Sequence, residues 1–423
     1  MASKCCLYRP MVHFHPCPDL SLVKTGNISP KMFDQWKLSR GKMHIFSTIS
    51  FTLVIFIFIL ASTLLSHNSV HSISRQEMQN PEAREPVESI KLMENVEDID
   101  EKDHGNSEPP FNLTVEERIS WFKSKGEFDG RIREFLDNHG CPVQFFMTWI
   151  SPAESFGPRE ILAAESVFKA HPKGCLIILS KTLDSKKGRL ILNPFLDYGY
   201  RILAVTPDLS FLFKKTPAES WFEEIKTGKK DPGEIPLPQN LSNLIRLAVL
   251  YKYGGIYLDT DFIVLKDFSM LKNSIGAQSI DSNGKWTRLN NAVLVFDKNH
   301  PLLFMFLEEF KSTFDGNRWG HNGPYLVSRV ISRVDITQEF NFTVLPPMAF
   351  YPFDWTRIDG FFHRPNNRAY SKWIEAKLRQ INGETYGVHL WNRQSAKSRI
   401  QEGSIIGRLI SDHCIFCQDI YSS

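Results

Sequence analysis

The pattern of apolar and polar positions divides the chain into three stretches of different character. Residues 45–65 form an unbroken run without a charged side chain, and residues 66–138 are polar and rich in Asp and Glu. From residue 139 to residue 423, short apolar runs recur at intervals. Only this third stretch has the apolar content needed to bury a core, so we place the globular domain at 139–423.

Several apolar runs in the third stretch have the length and composition of buried strands. They lie at 142–150, 175–180 and 200–205, and apolar residues at helical spacing lie between the first two. Strands that alternate with helices predict an α/β fold, with a mostly parallel sheet covered by helices on both faces. Ligands of such sheets bind at the carboxyl ends of the strands. The predicted helix is marked by Ile161, Leu162, Val167 and Phe168.

The segment 244–268 contains the most informative pattern in the chain. Apolar residues at helical spacing are followed by Gly254 and Gly255, where we expect the helix to end in a left-handed residue. The apolar run 256–258 then predicts a short strand that leads directly into an Asp-Thr-Asp sequence. We therefore expect acidic side chains at the end of a buried strand.

Asp259 and Asp261 are spaced to bind a cation together. Side chains alternate along an extended chain, so both carboxylates would point one way while Thr260 points the other. Two neighbouring anions repel each other unless a cation joins them, and their hard oxygen ligands favour Mg²⁺ or Mn²⁺. The alternative interpretation is a solvated turn at a strand end, since Asp is common in loops.

Five motifs in order resemble glycosyltransferase family 32, in particular its α-1,4-galactosyltransferase branch. Besides the Asp-x-Asp (DXD) sequence they are LNNAVLVF at 289–296, WGHNGP at 319–324, LPPMAFYPFDW at 345–355 and YGVHLWN at 386–392. The resemblance implies a Rossmann-like nucleotide-diphospho-sugar transferase domain, the A-type glycosyltransferase fold. It places a DXD sugar-binding region at 240–268 and a C-terminal α-1,4-glycosyltransferase region at 285–420.

The resemblance also implies an activity. A member of this branch transfers a sugar from a nucleotide-sugar donor to a glycolipid or glycan acceptor with the help of Mn²⁺ or Mg²⁺. The sugar expected from the resemblance is galactose, with UDP-galactose as the donor. The transfer retains the anomeric configuration and gives an α-linked product, here α-1,4, with the leaving phosphate taking the acceptor's proton. Two alternatives stay open: an enzyme that uses another donor such as GDP-mannose, and an inactive membrane-anchored sugar-binding protein that kept the fold.

The resemblance assigns catalytic and metal-binding roles to a few residues. His389 would be the third metal ligand beside Asp259 and Asp261, because the family carries His-x-Trp near its end; alternatively it is a structural histidine in a strand. Arg246 would either contact the donor or hold Asp259 in place. Asn243 lies three residues before Arg246 and shares its helix face. The family commonly has an acidic residue where this chain has Asn243, which leaves donor preference and activity open.

Polar and aromatic side chains are expected to contact the donor or the acceptor. Asn290 and Asn291 precede a predicted strand at 292–296 and would bind sugar hydroxyls, or else are turn residues. Tyr257 and Trp355 would pack on a uridine or sugar ring, or else belong to the core. The complete set of expected contacts is Asn243, Tyr257, Asn290, Asn291, His321, Asp354 and Trp355.

The N-terminal stretches predict a membrane anchor. Residues 45–65 are long enough as a helix to cross a bilayer, and basic residues predominate in the preceding 1–44. This flank keeps 1–44 in the cytoplasm, so we expect a single-pass type II protein of the Golgi membrane with a lumenal catalytic domain. The acidic stretch 66–138 predicts a flexible lumenal stem. A cleaved signal peptide is the alternative interpretation of the apolar run.

Cysteines and sequons fit a lumenal domain. An oxidising compartment favours disulfides over a zinc site, because one Cys-x-x-Cys supplies only half a ligand set. Three pairings of the four cysteines are open. The cysteines are Cys141, Cys175, Cys414 and Cys417, and the glycosylation sequons begin at Asn112, Asn240 and Asn341.

Charge and motifs exclude several other classes of function. The net charge is +3 over 423 residues, and Lys and Arg are scattered, so nothing indicates a nucleic-acid partner. The chain contains no GxGxxG, GxSxG, HExxH or P-loop sequence. We therefore expect no dinucleotide cofactor.

Overall fold

The computed structural model describes residues 127–334, 340–418, 420 and 421. Within these ranges, no helix combines the length and hydropathy needed to cross a membrane. The predicted cytoplasmic tail, the predicted span at 45–65, most of the predicted stem and Asn112 lie outside the described residues, and these assignments stay predictions.

The described chain alternates strands and helices, as the apolar pattern predicts. The strands are β1 Gln144–Thr148, β2 Cys175–Leu179, β3 Arg201–Val205, β4 Gly255–Leu258, β5 Phe262–Val264, β6 Ser274–Ile280, β7 Trp286–Phe296, β8 Thr343–Leu345 and β9 Gly387–His389. The helices are α1 Phe128–His139, α2 Pro158–Ala170, α3 Lys186–Asp197, α4 Leu209–Phe213, α5 Ala218–Lys226, α6 Leu237–Tyr253, α7 Pro301–Thr313, α8 Pro324–Ile331, α9 Pro347–Phe350, α10 Arg368–Glu384, α11 Asn392–Ser395 and α12 Ile405–His413, with 3₁₀ turns at Ala153–Ser155 and Ile358–Phe362.

Seven strands form one mixed sheet, in the order β3-β2-β1-β4-β7-β6-β8. The first four are parallel to one another, and β8 is parallel to β6. β7 pairs antiparallel with both β4 and β6. Only residues 281–285 connect β6 to β7, too few for the crossover that parallel pairing requires. The predicted mostly parallel α/β sheet is confirmed, with β7 as the reversed strand of this sheet.

Apolar side chains cover both faces of the sheet. Phe146 and Ile177 belong to one buried cluster, which includes much of α6 and α7. Their neighbours Phe145 and Leu176 point the other way, into a second cluster with residues of α2 and α3. This alternation explains why the central strands read as continuous apolar runs: both faces of each strand are covered by helices.

The folded domain begins before residue 139. α1 lies within the predicted stem, yet its Phe128 and Ile132 are 2% and 0% exposed. Arg131 on the same helix donates two hydrogen bonds of 2.8 Å to Asp184. The stem assignment is therefore wrong for 128–138, although apolar residues such as Phe128 and Phe135 indicate some helix between 115 and 136 from the sequence alone.

A tight joint connects α6 to β4. The helix ends at Tyr253, and Gly254 follows with φ 69° and ψ −175°, so the residue has positive φ but an extended ψ instead of the expected left-handed helical one. A Cβ on Gly254 would lie 2.6 Å from the backbone nitrogen of Lys298. Gln144 Nε2 donates to the carbonyls of Tyr253 and Gly254 at 2.8 and 2.9 Å, which aligns β4 beside β1.

A two-stranded sheet brings the C-terminal part of the chain to the end of β4. β5 and β9 are antiparallel, and Phe262 pairs with His389. The backbone N–H of Leu390 also donates to the carbonyl of Asp261 at 2.8 Å. This pairing places His389 beside the Asp-Thr-Asp sequence although 128 residues separate His389 from Asp261 along the chain.

The four predicted lumenal cysteines form two disulfides. Cys141 pairs with Cys175 at the start of β2, with a Cα–Cα distance of 5.7 Å. Cys414 pairs with Cys417 just after α12, with a Cα–Cα distance of 5.1 Å. Of the three pairings open from the sequence, the structure has the one that joins cysteines nearest in the chain.

Candidate active site

Asp259 and Asp261 lie in a tight turn between β4 and β5. The N–H of Asp259 donates to the carbonyl of Ala292 at 2.9 Å, and the N–H of Phe262 donates to the carbonyl of Asp259 at 3.1 Å. The carboxylates thus converge through a turn and not through strand alternation, which corrects the expected reason for their convergence. Thr260 also lines the cleft instead of pointing away from it.

His389 completes a compact group with the two aspartates. Its Nε2 lies 3.1 Å from Oδ1 of Asp261 and 3.9 Å from Oδ2 of Asp259. One ligand atom from each of the three side chains falls within 4.8 Å of the others. His389 thus lies in strand β9 and also beside both aspartates, and its role as a metal ligand stays a prediction.

Arg246 holds Asp259 from below the cleft surface. Its side chain is 4% exposed, and Nη1 lies 3.1 Å from Oδ1 of Asp259. Nη1 also donates to the carbonyl of Asn291 at 2.8 Å, and Cζ lies 4.5 Å from the ring centroid of Tyr257. Of the two predicted roles, the structure favours the positioning of Asp259, because the guanidinium is buried between protein groups.

The charges of this group shift one another's protonation. Burial raises the pKa of Asp259, although Arg246 opposes the shift. Burial acts in the same direction on Asp261, but His389 and the N–H of Asn392 outweigh it and lower the pKa of Asp261. For His389, Asp261 and Asp259 outweigh burial and raise the pKa of the imidazole. Of the two carboxylates, Asp259 is therefore the one whose charged form an added cation would stabilise more.

Asp259, Asp261 and His389 fit a divalent metal ion. Two carboxylate oxygens suit Mg²⁺ or Mn²⁺, and an imidazole nitrogen is a ligand that Mn²⁺ accepts more readily than Mg²⁺. The other metal-type group among the described residues, Glu165 with Cys414 and Cys417, has both sulfurs in a disulfide. The residues able to hold a metal are thus those at the end of β4 and in β9.

A cleft of about 750 Å³ opens over this group, and amide side chains are the commonest type on its wall. It lies at the carboxyl ends of β1 and β4, as expected for a sheet of this type. Amides carry donors and acceptors and so suit the hydroxyl groups of a sugar. Those on the cleft wall are Gln239, Asn240, Asn243, Gln278, Asn290, Asn291, Asn322, Asn392 and Gln394.

Family models and related sequences point to one enzyme family. Residues 295–421 match the alpha 1,4-glycosyltransferase conserved region, and residues 157–280 match the glycosyltransferase sugar-binding region containing the DXD motif. A lactosylceramide 4-alpha-galactosyltransferase of Mus musculus is 33% identical over 330 residues, which cover 72% of this chain and 86% of the relative. The chain belongs to the α-1,4-glycosyltransferase family.

Other relatives of this glycosyltransferase differ in length and in the sugar they are named for. An uncharacterized protein of Arabidopsis thaliana is 30% identical over 69% of this chain, and the chain spans 45% of that protein. An alpha-1,4-N-acetylglucosaminyltransferase of Homo sapiens is 28% identical over 66% of this chain and 81% of its own length. Among solved structures, the PaToxG glycosyltransferase covers 70% of this chain and 94% of its own, with 18% identity and a TM-score of 0.35, a value too low to carry a conclusion.

Asn243, Asn290 and Asn291 all lie on the cleft wall of this glycosyltransferase. Asn243 donates to the carbonyl of Gln239 at 3.1 Å and accepts from Asn291 Nδ2 at 2.9 Å. Asn290 and Asn291 belong to β7, so their interpretation as turn residues is wrong. The strand extends from residue 286, because polar side chains on its cleft-facing positions masked its N-terminal half.

The other predicted contact residues are dispersed. Trp355 is 39% exposed and lines the cleft. Tyr257 is fully buried and donates to Asp259 Oδ1 at 3.1 Å, so it supports the aspartate and offers no surface to a ligand. His321 lies outside the main cleft, and its Nε2 is 2.8 Å from the carbonyl of Thr313. Asp354 is exposed and accepts from the N–H of Thr356 at 2.8 Å, also outside the cleft.

The three sequons have different positions. Asn240 is 3% exposed, and its Oδ1 accepts from Asn322 Nδ2 at 2.9 Å on the cleft wall. The assignment of Asn240 as a glycosylation site is therefore wrong, because an attached glycan has no room there. Asn341 is exposed and its assignment stays a prediction.

Sequence reasoning missed the residues that position the segment after His389. The N–H of Asn392 donates to Asp261 Oδ2 at 2.8 Å. Arg159, 7% exposed at the start of α2, donates to the carbonyls of Ser395, at 2.9 Å, and Ser398. Nothing in the sequence distinguishes Arg159 from the other charged residues of α2, and its partners are more than 230 positions away in the chain.

Proposed function

We propose that this α-1,4-glycosyltransferase transfers galactose from UDP-galactose to a hydroxyl group of a glycolipid or glycan, with retention of configuration and in α-1,4 linkage. The observation that carries the proposal is the convergence of Asp259, Asp261 and His389 in a polar cleft. The name of the mouse relative, lactosylceramide 4-alpha-galactosyltransferase, supports galactose as the sugar and α-1,4 as the linkage.

A divalent ion held by these three side chains, Mn²⁺ or Mg²⁺, would supply positive charge that offsets the charge developing on the departing diphosphate. The protein holds the two carboxylates in place before any substrate binds. Arg246 fixes Asp259, and the N–H of Asn392 fixes Asp261. Because these groups are already oriented, little reorganisation is needed during the reaction.

The amide side chains of the cleft would orient the donor sugar and the acceptor. Asn243 and Asn291 bond to each other, and Asn290 donates to Gln278 at 3.0 Å. A network fixed in this way presents a limited set of free donors and acceptors to sugar hydroxyl groups. The absence of a negative charge at position 243 would alter the choice of donor and would not remove the binding site.

The carboxylates available in the cleft support a mechanism without a covalent sugar-enzyme intermediate. Retaining glycosidases use a separate carboxylate nucleophile. Among the described cleft-lining residues, Asp259 and Asp261 are the carboxylates, and both are bound to Arg246, His389 or backbone N–H groups. The acceptor oxygen would therefore bond to the anomeric carbon on the face from which the diphosphate leaves. The acceptor's proton would pass to the leaving phosphate oxygen.

The proposed location follows from the N-terminal sequence and the disulfides. An apolar run at 45–65 behind a basic flank supports a single-pass type II anchor. The two disulfides of the domain suit an oxidising lumen, and a Golgi lumen is where glycolipids and glycans receive sugars.

Nucleotide release by the full-length protein in detergent tests the proposed function. UDP-galactose, UDP-N-acetylglucosamine, UDP-glucose and GDP-mannose are each supplied with Mn²⁺ or with a chelator, with lactosyl glycolipid as acceptor. We expect UDP-galactose to be consumed only when the divalent ion is present, and the product to be cleaved by an α-galactosidase. Consumption of GDP-mannose alone would overturn the donor assignment. No consumption of any donor, with sugar binding intact, would indicate the inactive sugar-binding protein.

A further inference from the structure

Two arginines on the cleft wall are not used by the aspartate group. Arg288 lies on β7 and Arg393 in α11, and both line the cleft. Among the described residues, neither guanidinium lies within 4.0 Å of a carboxylate oxygen, whereas Asp259 and Asp261 already face Arg246 and His389. The cleft wall therefore carries three arginines against two aspartates.

Aromatic rings hold both guanidinium groups in place. Cζ of Arg288 lies 4.6 Å from the ring centroid of Tyr325, and Cζ of Arg393 lies 3.5 Å from that of Trp319. Stacking on a ring restrains a guanidinium while its N–H groups stay available at the edge of the plane. Trp319 and Tyr325 are 50% and 41% exposed, so this aromatic and cationic wall is open to a ligand.

Gln278 adds a hydrogen-bond donor beside Arg288. In the pairing of β6 with β7, Ala277 is opposite Leu289 and Ser279 is opposite Arg288, so Gln278 is the extra residue of a β-bulge. Bulges near active sites redirect a side chain, and Gln278 lines the cleft.

The hydrogen bonds of Asn290 decide which end of the Gln278 amide faces the cleft. The N–H of Ala292 donates to Asn290 Oδ1 at 2.9 Å, which turns Asn290 Nδ2 toward Gln278. Asn290 Nδ2 donates to Gln278 Oε1 at 3.0 Å, so the acceptor of Gln278 is used and its Nε2 donors are left for a ligand. The wall thus offers donors from an amide and a guanidinium side by side on neighbouring strands.

From this arrangement we infer that the acceptor carries an anionic group, a carboxylate, sulfate or phosphate monoester, bound by Arg288 and Gln278 with Arg393 on the same cleft wall. This inference rests on the proposed function and names the chemical class of its acceptor. An anion of planar or tetrahedral oxygens accepts from a guanidinium and an amide together. The donor diphosphate is a second source of such oxygens, but a divalent ion at Asp259, Asp261 and His389 already offsets its charge.

Matched acceptors that differ in one group test the inference. The full-length protein is supplied with UDP-galactose, Mn²⁺ and pairs of p-nitrophenyl glycosides: glucoside against glucuronide, galactoside against galacturonide, and lactoside against its sialylated and sulfated forms. We expect kcat/KM for at least one anionic acceptor to exceed that of its neutral partner about ten- to a hundredfold, and the difference to shrink at high salt. Equal or higher kcat/KM for every neutral acceptor would overturn the inference.

Arg288→Gln should remove that preference, while Arg288→Lys should keep part of it because the charge remains. The KM for UDP-galactose and its Mn²⁺-dependent hydrolysis without acceptor should be unchanged in both variants. Arg189→Gln, on the exposed side of α3, is the matched control and should behave as the natural protein. A rise in donor KM for Arg288→Gln would show that the arginine binds the donor diphosphate, which contradicts the inference.

Saturation-transfer NMR with the anionic glycoside provides a readout that does not depend on turnover. Its signal should weaken in Arg288→Gln and persist in Arg189→Gln. Transfer to the acceptors separates the proposed function from the inference: if galactose from UDP-galactose reaches no acceptor, the proposed function fails, and if it is transferred without a preference for anionic acceptors, only the inference fails.

Discussion

Asp259 and Asp261 have different electrostatic surroundings although one residue separates them. Asp261 is stabilised as an anion by His389 and by the N–H of Asn392, whereas burial raises the pKa of Asp259 against the opposing effect of Arg246. A cation bound at this point would therefore stabilise the charged form of Asp259 more than that of Asp261. If a metal binds here, we expect both residues to be needed, because each offers one of the oxygen atoms that lie within 4.8 Å of the other candidate ligand atoms.

Replacing either aspartate by the isosteric amide should abolish most transfer. We expect Asp259→Asn and Asp261→Asn each to lower kcat/KM for UDP-galactose by about a hundredfold or more, because the charge on the leaving diphosphate is no longer offset. Circular dichroism and thermal unfolding should show folded proteins. Asp197→Asn, an exposed residue at the end of α3, is the control and should keep full activity. Full activity in a folded double variant would contradict the metal assignment.

Asn240 and Asn341 should differ in glycosylation. Asn240 is 3% exposed and bonded to Asn322 in the cleft, while Asn341 is exposed. In secretory-pathway expression, Asn341→Gln should remove one glycan-sized step in gel mobility that glycosidase treatment also removes. Asn240→Gln should leave the mobility unchanged. A mobility shift with Asn240→Gln would show that the cleft wall is arranged differently.

Asp259, Asp261, His389 and Arg246 could be picked out from the sequence, because short motifs carry them. Their convergence could not be derived from local pattern, since the turn at 259–262 and the pairing of β5 with β9 depend on contacts distant in sequence. Tyr257 shows the limit most clearly. An aromatic side chain suits both a surface that packs on a ligand ring and a position in the core. Only its burial in the structure distinguishes these two interpretations.

Helix α2 connects the N-terminal half of the sheet to the segment that follows His389. Arg159 donates to the carbonyls of Ser395 and Ser398 from a buried position. Asn392, in the same segment, donates to Asp261. The orientation of one metal-ligand candidate thus depends on a side chain from an element that contributes no ligand itself.

Arg159→Met should impair activity more than stability. The substitution leaves two carbonyl groups without their donor, so we expect the free energy of unfolding to fall by about 1–3 kcal/mol. Activity should fall about tenfold or more, because the segment at 392–398 no longer holds Asp261 and His389 in register. Denaturant unfolding and kcat/KM on the same preparation measure both quantities. Arg189→Met on α3 serves as control, and a loss of stability without any loss of activity would contradict the positioning role.

The presence of helices and strands can be predicted from the sequence better than the residues at which they begin and end. Fully buried strands such as β2 and the joint of α6 with β4 were evident as apolar runs and a Gly-Gly pair. The N-terminal half of β7 was not, because Asn290 and Asn291 look like turn residues when their partners are unknown. In the stretch that contains α1, Phe128 and Phe135 indicate some helix, but the sequence does not show that Phe128 and Ile132 are buried in the core of the domain.

Buried neutral histidines tie the stability of the whole domain to pH. The N–H of Phe268 donates to His171 Nε2 at 3.1 Å, and the N–H of Leu302 donates to His300 Nδ1 at 3.3 Å. Burial lowers the pKa of both imidazoles, although Asp267 opposes the shift at His171 and the carbonyl of Phe340 opposes it at His300. These two imidazoles therefore bind fewer protons in the folded protein than in the unfolded chain near the ordinary histidine pKa of about 6.5, whereas His389, whose pKa is raised, acts in the opposite direction.

The contribution of His171 and His300 to the free energy of unfolding should fall as the pH is lowered from about 7 to about 5. The stabilisation of the folded state by each neutral imidazole is complete above the pKa of histidine in the unfolded chain. It is lost as the pH falls toward the lower pKa of that histidine in the folded protein. In His171→Gln, which keeps a side-chain acceptor for the N–H of Phe268, the dependence on pH should be weaker over this interval. Urea unfolding at several pH values measures it. An identical slope in His171→Gln and the natural protein would contradict the assignment of a neutral, buried imidazole.

The described domain has an N-terminal half with parallel strands and a C-terminal half whose chain returns to complete the cleft. The first half was predictable because each strand is covered on both faces, which leaves a clear apolar pattern. The pairing of β9 with β5 was not predictable, because three-residue strands carry little apolar pattern of their own. The cleft exists only where the two halves meet.

Binding of Mn²⁺ to the full-length protein, followed by electron paramagnetic resonance with and without UDP, tests most directly whether Asp259, Asp261 and His389 form a metal site. We expect the natural protein to bind one Mn²⁺ per chain and UDP to tighten the binding. Asp259→Asn, Asp261→Asn and His389→Gln should each weaken it at least tenfold, while Asp197→Asn should not. Unchanged Mn²⁺ binding in a folded triple variant of Asp259, Asp261 and His389 would contradict the assignment of the site.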